Sequence, residues 1–302
     1  DTSNAAFHTD VDVTFSMTGE TDGGLAFGVS VDLDEAGNLG DSTDNNGTAI
    51  FLSGAFGTLT VGDTDGAMDW ALGDLVGPGT LTDDETAHEG FMGDYLDGEY
   101  DGQIARYNYT MGDLSFAAST EIADVDVAGR SNGYAVGVKY ALNGINFGLA
   151  VQSADTSAAK FGGTPAAAAT VTAATAGTPG TVAVVAAVPA VFVDVDATGV
   201  SVGGTFGAVS AAVVYTAYDS SVALHDADHM HIGVSYTQGA MTLGANYGDF
   251  DSDTNTLDQD GYGISANYDL GGGAVIQAGY NTGDKANVDQ GSQWSLGIAM
   301  SF

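Results

Sequence analysis

The residues of this sequence that could do chemistry are mostly carboxylates. The chain carries 40 Asp and Glu against 5 Lys and Arg, so its formal charge at pH 7 is −35. A surface of this sign attracts cations and repels the phosphate backbone of nucleic acids. The composition therefore excludes a nucleic-acid partner and favours small cations or bridging by divalent ions.

Two acidic stretches have compositions that suit Ca²⁺, a cation that prefers oxygen ligands. The first is DSDTNTLDQD, which contributes Asp251, Asp253 and Asp258. It lacks the glycine that a calcium loop places after Asn255, and Tyr262 stands where that loop has a glutamate. The second stretch consists of Asp83, Asp84 and Glu85. We expect no required cofactor, with a structural Ca²⁺ as the one ion that these groups suggest.

Histidines and one serine motif complete the reactive groups. The segment HDADHMH contains His225, His229 and His231, of which the last two share a strand face. They could bind a transition metal, although a metal-free position fits the pattern better. GVSVG around Ser201 matches a hydrolase motif that needs a sharp strand-to-helix turn. Its neighbours continue a strand alternation instead, so we predict that the protein is not an enzyme.

The elements that must position these groups are β-strands. The last residues, WSLGIAMSF, alternate bulky and small side chains from Trp294 to Phe302, a period of two that is typical of a strand. The same alternation recurs along the chain. Fifteen strands are predicted, near 7–18, 25–34, 48–56, 58–64, 103–111, 114–122, 133–142, 145–154, 198–206, 208–218, 229–238, 240–249, 260–269, 274–282 and 292–302.

Short turns alternate with long acidic loops between these strands, at 35–47, 65–102, 123–132, 155–197, 219–228, 250–259 and 283–290. The polar face of the strands carries small side chains and lacks the Lys and Arg of a solvated surface. The apolar face is rich in Tyr and Phe. Both features favour a transmembrane antiparallel up-and-down β-barrel, all-β, formed by a single domain over 1–302. Since bacterial barrels have even strand numbers, we expect a sixteenth strand upstream of residue 1. The alternative is a strand hidden within the low-complexity external loop 155–197.

Several stretches resemble the trimeric general porins of alphaproteobacterial outer membranes. They are FSMTGETDGGLAFGVS, FLSGAFGTLTVGD, GDL at 73–75, YDLGGGA at 268–274 and the terminal Phe302. This resemblance implies a sixteen-stranded barrel, a homotrimer, and a third loop (65–102) folded inward to narrow a water-filled pore. It also implies the outer membrane of a Gram-negative bacterium, where lipid and lipopolysaccharide surround the barrel and small hydrophilic solutes and cations cross it.

The charges of the expected pore depart from those of the family. The first strand places acids inward at positions where the resemblance leads us to expect arginine. The pore-lining candidates are Asp10, Asp12, Asp32, Arg106 and Lys139. The candidates on the constriction loop are Asp65, Asp69, Asp74, Asp83, Asp84, Glu85, Glu89, Asp94, Asp97 and Glu99. An acidic lumen favours cations.

These patterns lead to two functional hypotheses. The first is passive diffusion of small hydrophilic solutes and ions through an acidic, cation-preferring outer-membrane pore. The second is an acidic, calcium-dependent cell-surface or adhesion β-protein. Detergent dependence separates the two hypotheses, because a barrel with an apolar outer face needs detergent and a secreted calcium-binding protein does not.

Overall fold

The structure is a computed structural model that describes residues 7, 12–34, 47–73, 88–91, 95–97, 103–122, 130–164, 170–172, 183–185, 189–254 and 257–302. In chain order its strands are β1 (Asp12–Glu20), β2 (Ala26–Asp34), β3 (Thr48–Gly54), β4 (Gly57–Gly62), β5 (Ile104–Met111), β6 (Leu114–Glu121), β7 (Gly133–Leu142), β8 (Ile145–Thr156), β9 (Thr170–Thr172), β10 (Ala183–Val185), β11 (Val193–Phe206), β12 (Val209–Ser220), β13 (Ala227–Gln238), β14 (Met241–Ser252), β15 (Gln259–Gly271), β16 (Ala274–Lys285) and β17 (Val288–Met300). Helix α1 spans Ala67–Leu72, and a 3₁₀ helix spans Ala159–Phe161.

Fifteen of these strands form one antiparallel sheet in which each strand pairs with the next along the chain. β9 and β10 pair only with each other, and β8 pairs directly with β11. The alternative of a sheet strand hidden within 155–197 is therefore wrong for the described residues. β1 and β17 lie at the edges of this sheet. The sixteenth strand upstream of residue 1 stays a prediction.

The fifteen predicted strands are the fifteen strands of the sheet, which confirms the all-β meander. The predicted bounds of β7 agree with the structure, whereas several later strands extend further. β11 begins at Val193, and β16 and β17 meet at a two-residue turn of Ala286 and Asn287, both with left-handed φ angles. The predicted long loop 283–290 is therefore wrong. The charged residues of this segment are typical of a loop. The hydrogen-bonded pairing of β16 with β17 nevertheless continues beyond the apolar part of each strand.

The two faces of the sheet differ in chemistry. One face carries large exposed apolar side chains, such as Phe15, Leu149, Ile264 and Leu296, each at least half exposed. Trp294, from the terminal strand, shares this outer face. The other face carries small and polar residues together with buried apolar ones such as Tyr218 and Phe250, and the third loop packs against it. A contiguous exposed apolar surface of this extent marks contact with lipid or with another protein.

No helix among the described residues has the length and hydropathy needed to cross a bilayer.

Candidate pore lining and constriction

The third loop begins with α1, which lies on the inner face of the sheet against β6, β7, β8 and β11. Its Ala67 backbone N–H donates to the hydroxyl of Ser119 on β6 at 2.8 Å. Ala67, Met68, Ala71 and Leu72 are all buried by this contact. A helix of six residues gains little from its own hydrogen bonds, so packing on the wall must stabilise it.

Glycines on the wall make room for α1. A Cβ atom on Gly137 of β7 would overlap the carbonyl oxygen of Ala67, and one on Gly148 of β8 would overlap that of Ala71. On β11, a Cβ atom on Gly199 would overlap the Leu72 side chain. Sequence reasoning predicted a small polar face here. It did not reveal that three adjacent strands omit side chains so that a helix can lie on them.

Asp97 anchors the far end of the loop. Its Oδ2 accepts the backbone N–H of Gly66 at 2.7 Å, and its Oδ1 accepts the side-chain amide of Gln152 at 2.6 Å. The Gln152 carbonyl oxygen in turn accepts the N–H of Leu96 at 3.3 Å. This candidate of the constriction loop therefore joins both ends of the loop to β8.

The tip of the loop crosses to the opposite part of the wall. The backbone of Gly90 lies directly on that of Gly248 in β14, since a Cβ atom on either glycine would overlap the other's carbonyl oxygen. The Gly90 carbonyl oxygen lies 3.0 Å from Nε2 of His229 in β13, and the His88 ring covers Gly261 of β15. The loop thus contacts β6–β8 and β11 with its helix and β13–β15 with its tip.

Three histidines meet where the tip contacts the wall. His229 and His231 point inward from β13, are 1% exposed, and have ring centroids 5.2 Å apart. Burial, together with the nearby His229, lowers the pKa of His88 from 6.5 to about 4, and the Asn246 amide opposes this shift only in part. His225 lies in the loop between β12 and β13, outside the cluster. Across the described ranges, no three His, Cys, Asp or Glu side chains lie close enough to hold a metal ion.

The two basic candidates both contact the start of the loop. Arg106 of β5 donates from Nη1 to the backbone oxygen of Asp65 at 2.7 Å and lies 3.5 Å from its Oδ2. The Nζ atom of Lys139 in β7 lies 4.3 Å from the centroid of the Trp70 ring on α1. Such a cation–π contact is favourable when it is partly desolvated. These two cations of the inner wall therefore pack against the loop.

The acidic candidates are spread over several environments. Asp32 on β2 faces the inner side, where its Oδ1 accepts the Thr14 hydroxyl at 3.1 Å. Asp69 lies in the first turn of α1, and Glu89 faces a polar cavity described below. Asp12 belongs to β1, opposite Asp34, but its side chain lies outside the described part. The candidates wholly outside the described residues are Asp10, Asp74, Asp83, Asp84, Glu85, Asp94 and Glu99.

Many acids lie on the outer face instead, near the long-loop ends of the strands. Asp251 of β14 lies opposite Asp228 of β13, and Asp249 lies opposite Asp260 of β15. Asp253 and Asp258 follow in the next loop, where Asp258 Oδ1 accepts the N–H of Ser252 at 3.1 Å. Other acids on this face are Asp155, Asp194, Asp196, Asp219 and Asp284. Sequence reasoning missed most of this outer band because several strands were predicted too short at their long-loop ends, as for β11 and β13.

The sequence matches the Gram-negative porin family over residues 1–288, and the chain belongs to that family. A porin of Rhodobacter capsulatus is 31% identical over 315 aligned positions, which cover 96% of this chain and 91% of the relative. A porin structure refined at 1.8 Å resolution is 25% identical, with a TM-score of 0.69 over 96% of this chain and 92% of that one.

More distant structures share the fold. A variant of the Rh. blastica porin is 16% identical, with a TM-score of 0.56 over 97% of this chain and 90% of that one. OmpT, an outer membrane protein of Vibrio cholerae that lacks its loop L8, is 16% identical, with a TM-score of 0.61 over 96% of both chains. As a member of the porin family, the protein is an integral β-barrel of the Gram-negative outer membrane and a channel protein. Family membership favours the pore over a calcium-dependent adhesion protein.

Proposed function

We propose that this porin lets small hydrophilic solutes and ions diffuse passively and that it prefers cations to anions. The observation that carries the proposal is that two cations of the inner wall, Arg106 and Lys139, are both in contact with the third loop. Arg106 is bound to Asp65, and Lys139 lies over the Trp70 ring, so both are engaged with the loop. Asp32 and Glu89 add carboxylates to the inner face, and the whole chain carries a charge of −35. Acidic groups around a pore favour cations.

The reversal potential of the purified protein in a planar bilayer under a KCl gradient tests this proposal. We expect a shift toward the potassium equilibrium potential. The shift should decrease as the salt concentration rises, because ions screen exposed charges. A shift toward the chloride potential would mean that Arg106 and Lys139 control the lumen, and it would contradict the cation preference.

We also propose a homotrimer in contact with lipopolysaccharide. The outer face provides apolar surface for lipid and for neighbouring subunits. The acids of the outer band lie opposite one another in register, an arrangement that destabilises a sheet unless cations intervene. Ca²⁺ bridges between these carboxylates and lipopolysaccharide phosphates would relieve the repulsion. Heat-modifiable migration as a trimer, with and without EDTA, tests the assembly and its dependence on divalent ions.

A further inference from the structure

A polar cavity of about 410 Å³ lies between the tip of the third loop and the wall formed by β15, β16 and β17. Its volume falls within the range of small-molecule sites, about 300–1,000 Å³. His88 and Glu89 form its loop side. The wall side consists of Gln259, Asn281, Thr282, Gly283, Gln290, Gly291 and Gln293.

Amide side chains dominate the wall of this cavity. Four of the seven glutamines of the chain lie between Gln259 and Gln293, so the amides are concentrated on these last strands. Asn281 and Gln293 are direct cross-strand neighbours on β16 and β17, which places their side chains side by side. Over the described residues, no hydrogen bond joins the side chains of Gln259, Asn281 or Gln293 to the rest of the chain. Their donors and acceptors are therefore available to a solute.

A β-bulge shapes the same place. The register between β16 and β17 shifts at Thr282 and Asp284, so that Gln290 and Gly291 together oppose Gly283. Gly291 takes a left-handed φ of 87°, and its carbonyl oxygen accepts the Thr282 hydroxyl at 2.9 Å. Bulges are frequent beside binding sites because they redirect side chains. Here the bulge brings Gln290 into the cavity lining.

Glu89 is held close to this wall. A Cβ atom on Gly283 would lie 3.0 Å from Cβ of Glu89, so the missing side chain of Gly283 allows the loop to approach β16. The carboxylate of Glu89 is thereby brought within the same cavity as the amides of Gln259 and Asn281.

The chemistry of the lining selects one class of ligand. An amide offers donors and an acceptor together, which matches hydroxyl groups that donate and accept at once. The lining contains no Lys or Arg to bind an anion, and the single carboxylate of Glu89 falls far short of the six or more oxygens that Ca²⁺ requires. We propose that this cavity is a binding subsite for a neutral polyhydroxylated solute, a polyol or a monosaccharide, in transit through the pore. This inference rests on the proposed diffusion function.

Single-channel recording with sorbitol as the probe tests the subsite. We expect sorbitol to reduce the current reversibly and with saturation. In the double variant Asn281→Ala with Gln293→Ala, the half-saturating concentration should rise by at least about fivefold, because each lost hydrogen bond weakens binding severalfold. The near-isosteric Gln293→Glu, which removes two donors with little change in volume, should weaken binding in the same direction. The matched control is Gln277→Ala, an amide on β16, the strand of Asn281, that does not line the cavity.

The outcomes separate this inference from the diffusion function. Normal conductance in KCl with only a linear, unsaturable effect of sorbitol would overturn the subsite and leave the pore intact. Saturation that is unchanged in both cavity variants would also overturn it, since the site would then lie elsewhere. Gluconate bound as tightly as sorbitol would overturn the assignment to neutral ligands. Absence of conductance in KCl alone, before any sorbitol is added, would contradict the diffusion function itself.

Discussion

Gln152 of β8 holds the third loop through both ends of its side-chain amide. Nε2 donates to Oδ1 of Asp97 at 2.6 Å, and the amide oxygen accepts the backbone N–H of Leu96 at 3.3 Å. Gln152 is only 6% exposed, so loss of its amide would leave buried polar groups unpaired.

Gln152→Ala should therefore loosen the loop from the wall. Each unpaired buried group costs about 1–3 kcal/mol, which is a large part of what holds a single loop in place. We expect a larger and noisier single-channel conductance than in the unaltered protein. Gln238→Ala, at the exposed end of β13, serves as the control. A conductance equal to that of the control would show that Gln152 does not position the constriction.

Gly148→Ala tests whether the wall must be free of side chains beneath α1. Its Cβ would overlap both the carbonyl oxygen of Ala71 and the hydroxyl of Ser201, so the helix must move toward the lumen. We expect a smaller conductance and a lower exclusion limit in liposome swelling with sugars of increasing size. Gly23→Ala is the control, because a Cβ there meets no atom closer than 3.9 Å. Equal exclusion limits in the two variants would contradict the idea that the wall beneath α1 must be free of side chains.

The docked tip of the loop should depend on pH. The pKa of His88 is lowered to about 4 in the docked loop, against 6.5 in water. Docking therefore favours the neutral ring, is fully stable above about pH 6.5, and weakens as the pH falls toward 4. His229 and His231 adjoin the same contact, and Glu89 is the next residue of the loop.

We expect the conductance to change between pH 6.5 and 4. His88→Gln should reduce this change, since glutamine does not titrate, whereas His225→Gln, in the loop between β12 and β13, should leave it intact. A pH response that is identical in the two variants would exclude His88 as its source.

Arg106→Gln should increase the preference for potassium over chloride. The substitution removes a positive charge from the inner wall and releases the carboxylate of Asp65. One unit charge at about 4 Å in water contributes about 1 kcal/mol, so a permeability ratio larger by up to about fivefold is expected. Arg130→Gln is the matched control, because Arg130 lies over the Phe192 ring. A decrease in the ratio for Arg106→Gln would contradict an acidic lumen.

Asp251→Asn tests the role of the outer acids. Asp251 and Asp228 are directly opposite each other on the neighbouring strands β14 and β13. Neutralising the Asp251 carboxylate removes a like-charge repulsion that Ca²⁺ would otherwise screen. We expect the melting temperature of the purified protein to fall less on addition of EDTA in this variant. Asp22→Asn, in the short turn between β1 and β2, is the control. An EDTA effect of equal size in both variants would remove Asp251 from the calcium proposal.

The period of two in the sequence predicted the strands and their faces, because side chains alternate strictly along a strand. It underestimated the later strands, since Asp194, Asp251 and Asp284 resemble loop residues although their backbones stay in the ladder. The contacts of the third loop could not be predicted. They join residues that are far apart in the chain, such as Gly90 and Gly248, and a local sequence pattern does not predict such contacts.

The glycines beneath α1 have a consequence for folding. Gly137, Gly148 and Gly199 lie on three adjacent strands. Glycine is a poor strand former because it loses more backbone entropy on folding than other residues and has no side chain to pack. This part of the wall is therefore weak until the Ala67–Leu72 helix covers it. The packed loop stabilises the strands around it, so the wall and the loop must fold together. A chain shortened in this loop should insert into membranes slowly.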